Sequence, residues 1–174
     1  MTRISLLLLT AVFTFSCMDT HTDSYKKELA KLNSLTKEPS IAMKGQITTF
    51  LTFQNNDAEE AMNLYVSLFE NSKVTDIQRY GKEGPAKEGS IFFARFELNG
   101  SQFACSDSYI KHEWDFTPGV SNWVDCQSEE EQQKLFSALS ENGKVMMPLD
   151  NYGFSQRFAF VEDRFGVSWQ LNLE

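Results

Sequence analysis

The chain has few of the residues that build metal sites and few of the positive charges that bind nucleic acids. Its 174 residues include two His and three Cys, and 16 Lys and Arg stand against 24 Asp and Glu. The formal net charge of −8 gives a surface that repels phosphate backbones, so we expect no nucleic-acid partner. Glu113 and Asp115 follow His112, but this spacing in a predicted loop indicates solvated side chains rather than a metal site.

Long apolar runs are also scarce. The run over residues 4–15 is too short to span a bilayer as a mature helix. It ends at Ser16 and Cys17, and an apolar run closing on a small residue and Cys resembles the lipobox of bacterial lipoproteins. The resemblance implies that residues 1–17 form a signal peptide ending at Cys17, whose thiol is acylated. Because Thr14 stands where a branched aliphatic residue is usual, plain secretion and an uncleaved anchor stay open as alternatives.

Residues 18–46 are polar and are predicted to be a tether, with a short amphipathic helix over residues 24–35 as one interpretation. The expected location is the bacterial cell envelope, with the protein anchored by its N-terminal lipid to a membrane outside the cytoplasm.

An internal repeat dominates the remaining sequence. Residues 57–74 and 128–145 align without a gap at a constant offset of 71, and eight of the eighteen pairs are identical. The identical pairs are Glu59/Glu130, Glu60/Glu131, Leu64/Leu135, Leu68/Leu139, Glu70/Glu141, Asn71/Asn142, Lys73/Lys144 and Val74/Val145.

Each repeat reads as one helix between strands. Asp57 and Ser128 are predicted N-caps, and a Glu three residues later gives each the spacing of a capping box. Strand patterns lie at 47–53, 73–80, 90–98 and 101–106, and again at 120–126, 144–149, 155–162 and 167–173. The predicted fold is α+β, with two βαβββ units (about 47–107 and 118–173) that contain eight strands and two main helices.

Five stretches extend the comparison to a known family: AEEAMNLYVSLFENSKV, RYGKEGP, FELNGSQF, PLDNYGFS and DRFGVSWQL. Together they resemble the PhnB-like branch of the vicinal oxygen chelate superfamily, which includes glyoxalase I, bleomycin-resistance proteins and extradiol dioxygenases. The resemblance implies that residues 47–174 form a glyoxalase-like domain. It also implies a homodimer, because members of this branch often pair in that way. Some members are labelled 3-demethylubiquinone 3-methyltransferase, which implies S-adenosylmethionine. This chain has no G-x-G for such a cofactor, so we interpret the label as a name and expect no cofactor.

The family's enzymes usually hold a divalent metal on four inward-facing positions. The corresponding residues here are Thr48 (or Thr49), Ala104, Gly119 and Gln170, and of these only Gln170 has a side chain that could coordinate. One neutral amide does not hold a transition metal, so we predict no metal site.

Strand alternation predicts which side chains face the cavity of this fold. The predicted cavity residues are Thr48, Phe50, Gln102, Ser106, Trp123, Ser168, Gln170 and Asn172. The same polar face could be solvated, and Trp123 could instead pack at a subunit contact.

The predicted function is a metal-free, PhnB-like lipoprotein domain that binds a small molecule and forms a homodimer. One alternative is a lyase or isomerase of this superfamily acting without the usual metal, with Asp107 and Tyr109 as acid–base candidates. Another is a protein-interaction module of the envelope. Cys105 and Cys126 are interpreted as small buried hydrophobes, with a disulfide between them as the alternative.

Overall fold

The computed structural model describes residues 26–27 and 45–174. The predicted signal peptide, Cys17 and nearly all of the tether lie outside the described residues. In the described part, unit one consists of β1 (Thr49–Phe53), α1 (Ala58–Leu68), β2 (Lys73–Arg79), β3 (Ile91–Leu98) and β4 (Ser101–Asp107). Unit two consists of β5 (Asn122–Asp125), α2 (Glu129–Ser140), β6 (Lys144–Asp150), β7 (Arg157–Glu162) and β8 (Ser168–Leu173). The predicted α+β fold with two βαβββ units is therefore confirmed.

Each unit forms one four-stranded sheet, and the two sheets have the same strand order. Sheet one runs β1-β4-β3-β2 and sheet two runs β5-β8-β7-β6. The first strand pairs in parallel with the last strand of its unit, and the remaining pairs are antiparallel. The hairpin between β3 and β4 turns at Asn99 and Gly100, both at positive φ, as the sequence predicts. None of the helices among the described residues is long and apolar enough to cross a membrane.

The helix-covered sides of the two sheets share one hydrophobic core. Leu51, Phe96 and Phe103 of sheet one belong to the same buried cluster as Trp169 and Leu171 of sheet two. Helix α1 joins them: the Tyr65 ring lies 5.0 Å from the Trp169 ring, and Phe69 stacks on Trp169 at 5.7 Å. The units therefore meet through their helix sides, and the opposite sheet faces point away from this shared core.

The predicted cap of α2 forms, whereas that of α1 does not. The Ser128 hydroxyl accepts a hydrogen bond from the Glu131 amide at 3.2 Å. Asp57 has a φ of −114° and a ψ of 6°, and its side chain makes no capping hydrogen bond. The predicted partner of Asp57, Glu60, instead accepts a hydrogen bond from Arg164 of unit two at 2.9 Å.

The first turn of α1 is bonded instead by Asp107, at the end of β4. This carboxylate is 2% exposed and accepts hydrogen bonds from the Ala58 amide at 3.0 Å and the Ile91 amide at 2.8 Å. A buried carboxylate with two backbone donors fixes the helix start to the sheet.

A second buried carboxylate joins the two units. One oxygen of Asp163 accepts hydrogen bonds from the Tyr65 hydroxyl at 2.7 Å and the Trp169 indole N–H at 2.9 Å. The other accepts from the Phe165 and Val167 amides, which closes the turn between β7 and β8. Asp163 thus links that turn to helix α1 of unit one.

Candidate functional site

A groove of about 480 Å³ lies where the two units meet. One wall is formed by the start of β1 and the β3–β4 hairpin of unit one, and the other by residues 121–125 along β5 of unit two. Phe69 and Trp169, which also join the units in the core, contribute to the lining. The groove exists because β5 is an edge strand whose outer side no other strand covers in the described residues.

The groove combines hydrogen-bonding side chains with aromatic rings. Gln102 donates to Glu97 at 2.7 Å, and Ser121 accepts from Gln170 at 2.6 Å, so both polar side chains are held in place. Trp123 is 51% exposed, and its ring lies 5.8 Å from that of Phe158. This mixture of fixed polar groups and aromatic surface is typical of small-molecule sites.

Asp125 carries the charge in this lining. Its Oδ1 accepts hydrogen bonds from the Trp123 indole N–H at 2.7 Å and from the Asn172 amide at 3.0 Å. These two hydrogen bonds, that from Trp123 being the stronger influence, lower the pKa of the Asp125 carboxyl below its usual range. The carboxylate is therefore ionised at neutral pH.

On sheet one, the predicted cavity residues share one face but do not all line the groove. Phe50 pairs in register with Ala104 and lies 6.2 Å from the ring of Phe93. Ser106 lies two residues along the same strand, and Thr48 precedes β1. Gln102 is the predicted residue of this sheet that also lines the groove.

On sheet two, the predicted residues again share one face. Trp123 pairs with Gln170 and Asp125 pairs with Asn172 across the parallel β5–β8 ladder. Ser168 is on the same face at 2% exposure, and its hydroxyl has no hydrogen-bond partner within the part of the chain that the structure describes. Among these residues, Trp123 lines the groove. The opposite parity is buried in the core, as predicted for Phe103, Cys105, Val167, Trp169 and Leu171.

Sequence reasoning missed several residues of this region. Asp125 has the strand parity of Trp123 and could have been found from alternation alone. Phe158 lies at the centre of an aromatic cluster with Trp123, Tyr152 and Phe154. Phe69 and Trp169 enter the groove only through the packing of α1 on sheet two, which no local pattern indicates.

The proposed acid–base candidates do not converge on the groove. Asp107 is committed to two backbone amides, and Tyr109 is exposed in the loop after β4. In that loop Ser108 Oγ lies 3.0 Å from His112 Nε2, but the same hydroxyl donates to the Ile110 carbonyl at 2.7 Å. This pair stabilises a local turn and does not form an activated nucleophile.

Cys105 and Cys126 are free, buried thiols rather than the two halves of a disulfide. Burial raises the pKa of each to about 12, so both stay protonated at neutral pH. Their interpretation as small core residues agrees with this environment.

The residues present do not fit the metal that this fold usually carries. Across residues 26–27 and 45–174, His, Cys, Asp and Glu side chains form no group of three or more close enough to hold an ion. Gln170, the one side chain at the four positions that could coordinate, instead donates its amide to Ser121.

The described domain also does not fit S-adenosylmethionine. The connections into the helices, residues 54–57 before α1 and 126–128 before α2, contain no glycine. A glycine-rich turn between a strand and a helix is what lets a nucleotide-type cofactor approach the backbone closely.

Comparisons with known proteins agree with this fold. Residues 45–172 match the family described as 3-demethylubiquinone-9 3-methyltransferase. A solved PhnB protein of Bacillus cereus, described under the same methyltransferase name, is 48% identical with a TM-score of 0.72. The alignment covers 75% of this chain and 100% of the Bacillus protein. A protein with this domain alone therefore forms this fold.

Two further proteins are less similar. Protein YjdN of Escherichia coli strain K12 is 30% identical over 84 residues, which are 48% of this chain and 56% of the YjdN sequence. The fosfomycin resistance protein FosX of Listeria monocytogenes is 12% identical with a TM-score of 0.52, covering 75% of this chain and 92% of FosX. That structure was solved with Mn(II) and a dihydroxypropylphosphonic acid, and its likeness to this chain is one of fold.

Proposed function

The chain belongs to the 3-demethylubiquinone-9 3-methyltransferase family, the PhnB-like branch of the vicinal oxygen chelate superfamily, and from that premise we propose that its domain binds a small molecule without a metal. The observation that supports this function is the groove of about 480 Å³ between the β3–β4 hairpin and β5. Pockets for small ligands have volumes of roughly 300–1,000 Å³ and a few fixed polar groups among apolar side chains.

The polar groups of the groove are held before any ligand arrives. Gln102 is fixed by Glu97, and Asp125 is fixed by Trp123 and Asn172. Side chains that are already ordered lose little further conformational entropy when a ligand binds. Asp125 is the one ionisable group among the described lining residues, and no Lys, His or Cys accompanies it to complete an acid–base or nucleophilic pair, which favours binding over catalysis.

The test is a screen of small molecules by thermal shift on residues 45–174. A ligand of the groove should raise the melting temperature of the wild-type domain and of Trp114→Ala, and should act much less on Trp123→Ala. Trp114 is a matched control because its ring is similarly exposed but stacks on His112 in the loop after β4. Ligands that shift all three proteins equally would place binding elsewhere and remove the groove as the site.

The proposal that the domain holds no metal is tested by a separate measurement. Because Thr48, Gly119 and Ala104 offer no coordinating side chain of the usual kind, elemental analysis of the purified domain should find no stoichiometric Zn, Ni, Mn or Fe. One equivalent of metal that is lost in Gln170→Ala would overturn this part of the proposal.

We further propose that two chains associate as a symmetric homodimer through the open faces of their sheets. The two units of one chain share their core on the helix sides, which leaves Phe50 and Phe154 at least half exposed on or beside the open faces. Large exposed apolar side chains on one face are typical of a protein contact.

Light scattering on residues 45–174 at micromolar concentration tests this association. We expect twice the monomer mass, and a monomer for Phe50→Asp, because a charge would be buried in the contact. Ile110→Asp is the control, since Ile110 is equally exposed but lies in the loop after β4. A monomeric wild type would contradict the dimer.

The last part of the proposal is that the domain is anchored by a lipid on Cys17 in the bacterial cell envelope. It rests on the resemblance of the apolar run ending at Cys17 to a lipobox. Cys17→Ala should block acylation and leave the precursor unprocessed or released from the membrane fraction. Mass spectrometry of a mature wild-type N-terminus without acyl chains would contradict the anchor.

A further inference from the structure

The charge of the groove restricts what it can bind. Among the described residues that line it, Asp125 is ionisable and acidic, and no Lys, Arg or His accompanies it. The remaining polar lining consists of Ser, Thr, Asn and Gln side chains, which are neutral. An anionic ligand would therefore meet a carboxylate without a compensating cation, whereas a cationic ligand would meet a complementary charge.

The Asp125 carboxylate is oriented, yet half of it is free to accept a ligand. Both hydrogen bonds, from Trp123 and from Asn172, reach Oδ1. Among the described residues no group donates to Oδ2, and the side chain is exposed. A carboxylate held by one oxygen can attract a cation without first being released from its own partners.

Aromatic surface lies beside this charge. The indole of Trp123 lies next to the carboxylate because its N–H donates to it, and its ring lies at 37° to that of Phe158 with the centroids 5.8 Å apart. Half of the indole stays exposed, so a cation can lie over the face of a ring whose position is fixed. Trp is the aromatic side chain whose face attracts cations best.

We propose that this groove takes a small organic cation free in solution, an alkylated ammonium of the choline type, with its charge beside Asp125 and its methyl groups over the face of Trp123. The inference rests on the proposed binding function and names the class of ligand. An alkylated ammonium suits the pair because it is too weakly hydrated to need strong hydrogen-bond acceptors, while its apolar surface is covered by the indole. Phosphonates and other anions are excluded by the same charge argument.

Calorimetric titration of residues 45–174 with three probes tests the class of ligand. Choline carries the cation, 3,3-dimethyl-1-butanol is its uncharged carbon isostere, and methylphosphonate is an anion of similar size. We expect choline to bind more tightly than the isostere by about fivefold or more, which is the effect of one close charge pair and one cation–aromatic contact. Methylphosphonate should not bind measurably, and choline binding should weaken as salt is added.

Substitutions test separately the contact with the Asp125 charge and the contact with the Trp123 ring. Asp125→Asn keeps the size of the side chain but removes its charge, so its preference for choline over the isostere should fall to what the Trp123 face alone provides. Trp123→Leu should weaken choline by about threefold to fivefold, and Trp114→Phe should leave its affinity unchanged. Circular dichroism of each variant shows whether the fold is kept.

The outcomes separate this inference from the proposed function. If the isostere binds as tightly as choline, or if methylphosphonate binds, the cation proposal is wrong while the groove remains a binding site. If choline fails to bind in the millimolar range but another compound of the screen binds through Trp123, the cation proposal again fails alone. If no compound of any charge acts through Trp123, both proposals fail.

Discussion

Units one and two contain helices of related sequence, but these helices are buried to different extents. In α1 the side chains of Ala58, Ala61, Met62 and Tyr65 are all fully buried. In α2, which packs on β7 and β8, the fully or nearly fully buried side chains are Gln132, Leu135 and Leu139. At the repeat offset of 71, Ala61 corresponds to Gln132 and Tyr65 corresponds to Phe136. Helix α1 contacts both sheets, whereas α2 covers its own.

The difference shows how two units of similar sequence come to be joined through one of their two helices. Gln132 donates its amide to the carbonyls of Arg157 and Leu171, so it bonds α2 to its own sheet. Tyr65 donates its hydroxyl to Asp163, so it bonds α1 to the other unit. Similar stripes of apolar residues form similar helices, and single polar substitutions on those stripes decide which sheet each helix joins.

The largest effect is expected at Asp163. This carboxylate bonds the turn between β7 and β8, and the β3–β4 hairpin of unit one has no corresponding carboxylate. Asp163→Ala leaves the buried donors of Tyr65 and Trp169 and two backbone amides without an acceptor, so the free energy of unfolding should fall by about 3–5 kcal/mol. Urea unfolding of residues 45–174 measures it. Asp115→Ala is the control, because that exposed carboxylate bonds only the amide of its neighbour. Equal midpoints for the two variants would contradict the role of Asp163 in joining the units.

A reciprocal exchange between the repeats should be strongly asymmetric. Gly143 corresponds to Ser72 at the repeat offset, but a Cβ at Gly143 would overlap the Glu162 carbonyl oxygen and lie 3.0 Å from Asp163 Cα. Gly143→Ser should therefore lower the unfolding free energy by about 3 kcal/mol, since backbone must move.

The opposite exchange, Ser72→Gly, should cost about 1 kcal/mol, for the hydrogen bond that Ser72 Oγ accepts from the Asn99 amide at 3.1 Å and for the added flexibility. Thermal and urea unfolding of the two variants in parallel check the asymmetry. Losses of equal size would show that the two helix ends are equivalent and would break the comparison.

The first turns of the two helices should also differ in which substitution destabilises them more. Asp107→Ala leaves the amides of Ala58 and Ile91 without their acceptor, so a loss of about 2 kcal/mol is expected. Ser128→Ala removes one local cap from α2 and should cost about 1 kcal/mol. A larger loss for Ser128→Ala, measured by urea unfolding, would mean that the local cap matters more than the distant carboxylate.

Local sequence was sufficient for the elements of this fold because each is encoded by neighbouring residues. The gap-free offset and the helical spacing placed both helices, and the Asn99–Gly100 signal placed the hairpin that the backbone angles show. Alternation assigned Phe103, Cys105, Trp169 and Leu171 to the core, where they are buried, but Ala104, Ser168 and Asn172 of the other parity are buried as well. Strand ends were less accurate: β5 was predicted over 120–126 and spans Asn122–Asp125, where Val120 is already exposed.

The hydrogen bonds of the two buried carboxylates could not be predicted because their partners are distant in sequence. Asp107 lies 49 residues from the helix start that it bonds, and Asp163 lies 98 residues from Tyr65. The groove shows the same limit. Gln102 and Trp123 were found from strand parity, whereas Phe69 and Trp169 line it only because α1 packs on sheet two. Alternation assigns a side chain to a face, but it does not say which faces meet.

The smallest expected effect is on how the free energy of unfolding changes with pH. Acidic residues at the starts of the two helices should change it in opposite directions. Asp57 precedes α1, and one of its carboxylate oxygens is buried without a hydrogen-bond partner in residues 26–27 and 45–174. Burial, and to a lesser extent repulsion from Asp107, raises the pKa of Asp57 above its ordinary value of 3.8. Glu130, in the first turn of α2, has a pKa lowered by its backbone amide and by Ser128.

These shifts make opposite contributions to stability. A raised pKa means that the folded state holds the proton of Asp57 more tightly than the unfolded state does, so its contribution is full below about pH 3.8 and is lost as the pH rises through the folded pKa. Asp57→Asn cannot ionise. Relative to wild type it should gain stability as the pH rises, by less than about 1 kcal/mol because the group is partly solvated.

Glu130→Gln should behave in the opposite way. The stability that Glu130 contributes is present above its ordinary value of 4.5 and is lost as the pH falls through the folded pKa, so the variant should fall behind wild type only at higher pH. Urea unfolding of both variants and wild type from about pH 3 to about pH 7 measures the two slopes. Slopes of the same sign would mean that the two helix starts have the same electrostatic environment, and that the distant Asp107 does not distinguish unit one from unit two.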